Sequence, residues 1–527
     1  MLNEGVKGFP TLWSMADRSP PEPRTWRRSS RAQSIVMAGC LVLSACAGDQ
    51  PGEPRVNVLL ITLDTTRVDR LGCYGNRRIA TPNLDRLAAE GVLFESAFTP
   101  VPSTLPSHCS IMTGMYPARH GVHDNGIYRL DETLTTLAER LRDEGYWTGA
   151  FVSAFVLDRQ FGLAQGFDTY DDRVDEPQIG DDPARLLFDD RLPDEHRRWL
   201  AQLASSFQRR ADAVSRSAID WLHESPQEPF FLWVHYFDPH ASYDAPEPWT
   251  TRYDPDYSGP MDGSPETFER IFIENDWTTT TDVPRPDLDH MVARYDGEIA
   301  FMDWWIGRLL DALEETGRRE NTLIVVVGDH GESFGEHGQI WEHNSHIFDE
   351  VVRVPFIVRP PGGLSGGRRI SGLVRTLDVA PTILEFAGAP HLDGIDGTSL
   401  YSLFGDTPGE TPEHDIFLQA LRERQVFASD NSWLGLRSAR YKLILKYRAG
   451  ETDPRSALFD LDADQEELVP LSPLPLGLIE NWTYRTVTGY QTMRTESRER
   501  SEHEMQLSVR RDGFGSEALV SGSERAG

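Results

Sequence analysis

The amino-acid sequence predicts an α/β fold with a large, mostly parallel sheet sandwiched by helices and a smaller carboxy-terminal α+β antiparallel subdomain. Two observations support this prediction. From Val56 onward, short apolar runs alternate with amphipathic helical patterns, as in a chain of strand–helix–strand units. After about Gly405, short strand-like runs separated by polar turns replace that alternation.

The elements of the large domain, residues 56–405, follow from apolar spacing and from helix-end signals. A continuous apolar run predicts a strand that is buried on both faces, whereas apolar residues three and four apart predict a helix. Pro82 after Thr81 marks the start of one helix, and glycines mark the ends of two others. The predicted strands are 58–63, 230–234, 323–328 and 356–358, and the predicted helices are 82–89, 134–143, 209–222, 294–315 and 377–387.

The carboxy-terminal subdomain is predicted to span residues 406–474. Its short apolar runs predict a small antiparallel sheet with a terminal helix. Beyond residue 474 the chain is charged, rich in serine and weakly periodic, so the tail 475–527 is predicted to be loosely ordered. The predicted strands of the subdomain are 416–418, 434–437, 441–447 and 457–461.

The amino terminus has the pattern of a targeting segment. Arginines between residues 27 and 31 precede the apolar stretch 35–45, which is too short to span a bilayer. That stretch ends in Leu-Ser-Ala-Cys, which resembles a bacterial lipobox and predicts lipidation of Cys46. We therefore expect a lipoprotein signal peptide over 1–46, a linker over 47–55, and an exported lipoprotein of the bacterial cell envelope. It would lie at the periplasmic face of the membrane or the cell surface, held only by its lipid.

The formal net charge of the 527-residue chain is -31. A surface of this sign repels nucleic acid and anionic membranes, so neither is expected as a partner. It also slows the approach of polyanions, which favours small or singly charged substrates. Simple solubility, or adaptation to a salty habitat, explains the charge equally well.

Two predicted strands end in acidic residues. Asp64 follows the first strand, and Asp329-His330 follows the apolar run 323–328, with a predicted loop of small polar residues around 99–114 lying between them in the sequence. An Asp after a strand often only caps a helix or starts a turn. Two such strands, with a histidine, instead predict a divalent metal site at one edge of the sheet.

A set of short motifs, in order over about residues 55–468, resembles the sulfatase family of the alkaline phosphatase superfamily. The resemblance implies the fold of that superfamily and the hydrolysis of a sulfate, phosphate or phosphonate ester of a small molecule or glycan. The motifs are Asp64, Thr81–Asp85, Pro106-Ser107, Thr113-Gly114, Tyr116-Pro117, Asp329–Glu332, Arg353–Pro355 and Asp378–Thr382.

The chain departs from the family at the nucleophile. Sulfatases have a cysteine two residues before the Pro-Ser pair, converted to formylglycine, and this chain has Thr104 there. Formylglycine hydrate releases sulfate by collapse to the aldehyde, whereas an esterified threonine must be released by water attacking the central atom. Thr104 therefore favours phosphoryl chemistry, or a slower sulfatase of unusual type.

The resemblance also implies roles for the other site residues. Asp64, Asp329 and His330 would hold the metal, with Thr104 as the metal-bound nucleophile, a set that resembles phosphonate monoester hydrolases and phosphodiesterases. This ligand set suits Zn²⁺ or Mn²⁺ better than Ca²⁺ or Mg²⁺.

Three histidines are assigned roles around the anion. His240 matches the family histidine that contacts the anion or protonates the leaving group, so we assign it as general acid. His108 stands where the family has an arginine and His343 where it has a lysine, so both are expected to neutralise the anion. His343 could instead be a surface residue of a polar loop.

Two alternatives remain open at this point. Asp238, His240 and His343 could hold a second metal, as in two-metal phosphatases, while His235 is expected to be a structural hydrogen-bonding residue. Alternatively, the protein could be a catalytically inactive surface lipoprotein that binds anions or glycans. The retained Asp64, Asp329 and His330 argue against this, because an inactive site has no physical need of clustered carboxylates.

Overall fold

The structure is a computed structural model, in which the described residues are 55–174, 208–224, 227–274, 283–421, 432–448, 454–472 and 481–495. The predicted signal peptide, Cys46 and nearly all of the linker lie outside these residues, so the lipoprotein assignment stays a prediction. Within the described ranges, no helix has the length and apolarity needed to cross a membrane.

The predicted large sheet is confirmed. The described residues form an eight-stranded sheet with the strand order β4-β3-β5-β1-β6-β7-β2-β8. All neighbouring strands pair in parallel except β7, which is antiparallel to both β6 and β2. The strands are β1 (Asn57–Leu63), β2 (Val92–Phe98), β3 (Trp147–Phe151), β4 (Thr169–Asp171), β5 (Phe230–Tyr236), β6 (Thr322–Gly328), β7 (Phe356–Arg359) and β8 (Arg368–Arg375).

Helices cover both faces of this sheet. The described helices of this part of the chain are α1 (Pro82–Ala89), α2 (Thr104–Thr113), α3 (Pro117–His120), α4 (Leu137–Asp143), α5 (Ala211–Glu224), α6 (Pro265–Glu274), α7 (Arg285–Glu315), α8 (Asp349–Val352) and α9 (Val379–Ala387). Because side chains alternate between the faces of a strand, Val58 and Leu60 pack with α2, α4 and α9. Leu59 and Ile61 point to the opposite face and pack with α1, α5 and α7.

Several elements differ from the sequence-based prediction. Residues 104–113, predicted to lie in a polar loop, form α2, and every residue of this helix is buried. The serine and threonine residues of this segment interrupt the helical spacing of its apolar residues, so the sequence gives no helix signal. Burial against the sheet stabilises the helix instead. Helix α7 begins at Arg285 rather than at residue 294. Strands β2, β3, β4 and β8 are absent from the sequence-based prediction. In β8, arginines and partly exposed residues give no continuous apolar run.

The smaller antiparallel sheet is also confirmed, with the strand order β12-β11-β10-β9. Its strands are β9 (Ile416–Ala420), β10 (Ser432–Arg437), β11 (Tyr441–Tyr447) and β12 (Arg455–Asp460). Residues 481–495, placed in a loosely ordered tail by the sequence analysis, form a helix. Trp482 and Tyr490 of this helix pack on the sheet beside Leu434 and Leu443, and this apolar contact explains its order.

Candidate active site

Three adjacent parallel strands bring the predicted site residues to one edge of the large sheet. In the order β5-β1-β6, β1 lies in the middle, and Asp64 and Asp329 directly follow β1 and β6. The Asp64 amide donates to Tyr236 O at 3.0 Å, and the Asp329 amide donates to Leu63 O at 3.1 Å. These bonds extend the sheet ladder by one residue, so both carboxylates are held at the carboxyl edge where ligands bind in open α/β sheets.

Four predicted residues converge at this edge. The Thr104 hydroxyl, at the start of α2, lies 3.3 Å from His330 Nε2. The same nitrogen lies 3.6 Å from Asp64 Oδ1 and 3.5 Å from Asp329 Oδ2. Asp64 and Asp329, which are 265 positions apart in the sequence, therefore both lie close to His330 Nε2, and the Thr104 hydroxyl lies beside the same nitrogen.

The tautomer of His330 follows from its backbone contact. His330 Nδ1 lies 3.0 Å from Gly331 O, and a carbonyl oxygen can only accept a hydrogen bond. The ring proton of neutral His330 is therefore on Nδ1, which leaves a lone pair on Nε2. That lone pair faces both carboxylates and the Thr104 hydroxyl, as required of a metal-ligating imidazole.

The two carboxylates are fully buried with few hydrogen-bond donors. Both oxygens of Asp64 and Oδ2 of Asp329 have no hydrogen-bond partner among the described residues. Burial raises the pKa of Asp64, and burial together with the charge of Asp64 raises the pKa of Asp329 well above its usual range. Buried charges of one sign are costly unless a counter-charge compensates them.

The donor set fits a divalent cation. Asp64, Asp329 and His330 each offer one ligand atom within 4.8 Å of the others. A cation coordinated by the two carboxylates and Nε2 would compensate the buried charge and use the oxygens that lack partners.

Backbone strain accompanies the site. Thr65, the residue after Asp64, has a φ of 45°, which a β-branched side chain rarely adopts. Its amide donates to Asp329 Oδ1 at 3.3 Å, and its carbonyl accepts from the Tyr295 hydroxyl at 2.7 Å. Such strain costs on the order of 1–3 kcal/mol and persists only where the surroundings enforce it.

His343 and His240 lie together beside the site. The His343 ring stacks on His330 with ring centroids 4.4 Å apart, and its side chain is 16% exposed, so it is not a surface residue. Burial lowers the pKa of His343, but the acidic groups around it, Glu332 at 3.4 Å together with Glu342 and Asp64, raise it overall. The His240 ring lies edge-on to His343 at 5.3 Å, and burial lowers its pKa.

Asp238 does not join these two histidines. Its carboxylate accepts a hydrogen bond from the Ala211 amide at 2.8 Å and pairs with Glu298 of α7. Burial raises the pKa of Asp238 to about 6. Because this carboxylate is already bound between two helices, the placement does not support a second metal on Asp238, His240 and His343.

His108 is also placed differently from its expected role. It lies one turn after Thr104 in α2, fully buried, with Nδ1 2.8 Å from Thr104 O and Nε2 3.0 Å from Thr62 Oγ1. Burial lowers its pKa to about 3, so the ring is neutral. A neutral ring with both nitrogens occupied does not supply the positive charge expected of it.

His235, expected from the sequence to be a structural hydrogen-bonding residue, belongs to the site. It lies in β5, and its Nε2 is 3.5 Å from Asp64 Oδ2 and has no hydrogen-bond partner among the described residues. The pairing of Thr62 with His235 in the parallel register places it beside the end of β1. Only that pairing reveals the contact, because the apolar run around His235 looks like any buried strand.

Comparison with known families gives two matches. A family model described as Sulfatase matches residues 56–389, which is well over half of the chain. A second, described as N-sulphoglucosamine sulphohydrolase, C-terminal, matches residues 335–473, from the loop after β6 through the small sheet.

Curated relatives match over most of their own length. The chain is 27% identical to an arylsulfatase of Clostridium perfringens over 460 residues, covering 79% of this chain and 90% of the relative. It is 26% identical to an N-acetylglucosamine-6-O-sulfatase of Bacteroides thetaiotaomicron over 510 residues, covering 84% and 87%.

Solved structures support the same fold. The phosphonate monoester hydrolase of Agrobacterium radiobacter is similar with a TM-score of 0.63 at 22% identity, and the match covers 84% of this chain and 96% of that one. The phosphonate monoester hydrolase of Silicibacter pomeroyi is similar with a TM-score of 0.60 at 23% identity, covering 86% and 96%. Together with the family match over residues 56–389, these findings show that the chain belongs to the sulfatase family of ester hydrolases.

Proposed function

We propose that this protein is a metal-dependent hydrolase that cleaves a singly charged ester of phosphorus or sulfur with Thr104 as its nucleophile. The observation that carries the proposal is the position of the Thr104 hydroxyl, 3.3 Å from the free lone pair of His330 and beside two buried carboxylates. The curated relatives named as sulfatases support the ester class.

Asp64, Asp329 and His330 are the proposed metal ligands. Two carboxylates and one imidazole suit Zn²⁺ or Mn²⁺ better than Ca²⁺, which prefers an all-oxygen shell. When bound, such a cation lowers the pKa of a neighbouring hydroxyl and polarises the ester oxygens.

The proposed reaction has two balanced steps. The Thr104 hydroxyl releases its proton to solvent, and Oγ1 forms a bond to the central phosphorus or sulfur while the bond to the leaving oxygen breaks. The leaving oxygen takes a proton from Nε2 of protonated His240. Water then gives one proton back to His240 Nε2 and attacks the same central atom, the bond to Thr104 breaks, and the threonine oxygen takes a proton from solvent. An esterified threonine cannot collapse to an aldehyde as formylglycine hydrate does, so in the second step water must attack the central atom. Attack of this kind is common in enzymatic phosphoryl transfer.

Two histidines complete the proposed mechanism. His343, whose pKa is raised by Glu332, provides positive charge beside the anion. His240 donates Nδ1–H to Ala241 O at 2.8 Å, so its Nε2 is the nitrogen left to exchange a proton with the leaving group. One imidazolium suits one negative charge, which favours diesters and phosphonate monoesters over the dianion of a phosphate monoester.

A panel of substrates with the same leaving group tests the proposed function. The metal-loaded enzyme is assayed with nitrophenyl sulfate, nitrophenyl phosphate, bis-nitrophenyl phosphate and nitrophenyl phenylphosphonate. We expect kcat/KM for the diester and the phosphonate to exceed that for the other two by at least about tenfold, or about 1.4 kcal/mol in barrier height. Faster sulfate turnover would reject the preference for phosphorus. If every substrate stays intact with metal bound, the protein is a binding protein rather than an enzyme.

The general acid is tested with leaving groups of different basicity. Replacing His240 with glutamine should slow a phenyl or alkyl ester by about 10²–10⁴-fold, the usual contribution of general acid catalysis. A nitrophenyl ester should be slowed much less, because nitrophenolate leaves without a proton. His343→Gln serves as the matched variant, since loss of an anion-binding charge slows both leaving groups alike. If the His240→Gln substitution slows both esters by the same factor, His240 is not the general acid.

A further inference from the structure

Two buried imidazoles face the carboxylates from the side of the protein core. His235 Nε2 lies 3.5 Å from Asp64 Oδ2, and His108 Nδ1 lies 3.7 Å from Asp329 Oδ2. The two rings meet edge to face with centroids 4.9 Å apart. His108, His235 and Asp329 have the spacing of a ligand group, so the arrangement could hold a second cation or could orient the carboxylates.

The hydrogen bonds of His235 decide its tautomer. The Ser153 amide donates to His235 Nδ1 at 3.3 Å, and the Ser153 hydroxyl donates to His235 O at 2.7 Å. An amide can only donate, so Nδ1 carries no proton and the proton of the neutral ring is on Nε2. If His235 Nε2 coordinated a cation, the ring proton would have to move to Nδ1, where it would face the N–H of Ser153.

The hydrogen bonds of His108 occupy both of its nitrogens. Its Nδ1 must donate to Thr104 O at 2.8 Å, since a carbonyl oxygen only accepts. Trp233 Nε1 donates to Thr62 Oγ1 at 3.0 Å, which leaves the Thr62 hydroxyl proton to donate to His108 Nε2 at 3.0 Å. This chain of bonds fixes the ring. Of the three imidazoles at the carboxylates, His330 presents a lone pair and His235 an N–H group, whereas both nitrogens of His108 are already hydrogen-bonded elsewhere.

We infer that His235 is a positioning residue whose N–H group orients Asp64 toward the cation held by Asp64, Asp329 and His330, and that no second cation binds between His235 and His108. The inference rests on the proposed function, because it assumes a metal on these carboxylates. The distance of 3.5 Å from His235 Nε2 to Asp64 Oδ2 is longer than an ordinary hydrogen bond. The N–H dipole acts through a buried, poorly screening environment, in which such partners commonly change metal affinity by about 10–100-fold.

Two substitutions of His235 separate orientation from simple packing. The amide nitrogen of glutamine reaches the position of Nε2, whereas the amide of asparagine reaches only that of Nδ1. The full chain is stripped with a chelator and titrated with Mn²⁺ and with Zn²⁺ by calorimetry. We expect one equivalent of metal in the unmodified protein, a loss of about 10–100-fold in affinity for His235→Asn, and recovery of most of it in His235→Gln.

His120 provides a matched control. It is equally buried, its Nδ1 likewise accepts a backbone amide, that of Val122 at 3.2 Å, and its Nε2 lies 3.0 Å from Ser110 Oγ. We expect His120→Asn to change thermal stability but not metal affinity. Two equivalents of metal, falling to one in His235→Asn, would overturn the inference in favour of a second cation. Unchanged affinity in His235→Asn would also overturn it. These readouts do not depend on turnover, so a protein that binds one metal but cleaves no ester rejects the proposed function alone.

Discussion

Replacing Thr104 with alanine is expected to lower kcat/KM by at least about 10³-fold on every substrate that the protein cleaves. The substitution removes the hydroxyl that lies 3.3 Å from His330 Nε2, and with it the atom that forms the covalent intermediate. Metal binding should persist, because Asp64, Asp329 and His330 are unchanged. The measurement is steady-state kinetics on the metal-loaded protein, with metal content determined on the same sample.

Controls for this prediction lie in the same helix. Thr104→Ser keeps a hydroxyl at the same place and should retain a large part of the activity. Thr113→Ala removes the equivalent group from the other end of α2, where Thr113 Oγ1 donates to Cys109 O at 2.7 Å. It should lower stability by about 1 kcal/mol and leave kcat nearly unchanged. Unchanged turnover in Thr104→Ala would show that another group attacks the ester.

Replacing Asp329 with asparagine is expected to abolish the stabilisation of the protein by metal. A ligand that binds only the folded state stabilises it by about 2.7 kcal/mol when present at 100 times its Kd. In the metal-free state the substitution should not destabilise the fold, because it removes one of two like charges that are fully buried. The measurement is thermal or denaturant unfolding with and without added Zn²⁺ or Mn²⁺.

Asp303 supplies the matched control for that experiment. This buried carboxylate of α7 accepts hydrogen bonds from the Leu84 and Asn83 amides, at 2.9 and 3.2 Å, and so caps α1 away from the site. Asp303→Asn should lower metal-free stability and leave the shift caused by metal intact. If Asp329→Asn still responds to metal like the unmodified protein, the cation is held by other residues.

The architecture was predictable because it depends on local patterns. The runs 58–63 and 323–328 are apolar apart from Thr62, and in the structure they are neighbouring strands buried on both faces. Since parallel strands end at the same edge, Asp64 and Asp329 could be expected together before any coordinates were known. Strand β8 was missed because a polar edge strand has no such pattern.

The residue types of the chain therefore settle the class of fold, the paired carboxylates at one sheet edge and the hydroxyl that replaces the family's cysteine. Tertiary structure alone decides which way each ring points. His235 turns an N–H toward Asp64, His108 turns its N–H toward Thr104 O, and His330 turns a lone pair toward the carboxylates, because each ring is set by a backbone or hydroxyl partner. Asp238 likewise faces Ala211 and not His240, since its orientation is set by a helix that packs beside it. The periodicity of a strand depends only on residues that are close in the sequence, whereas these hydrogen-bond partners meet only after distant segments have packed together.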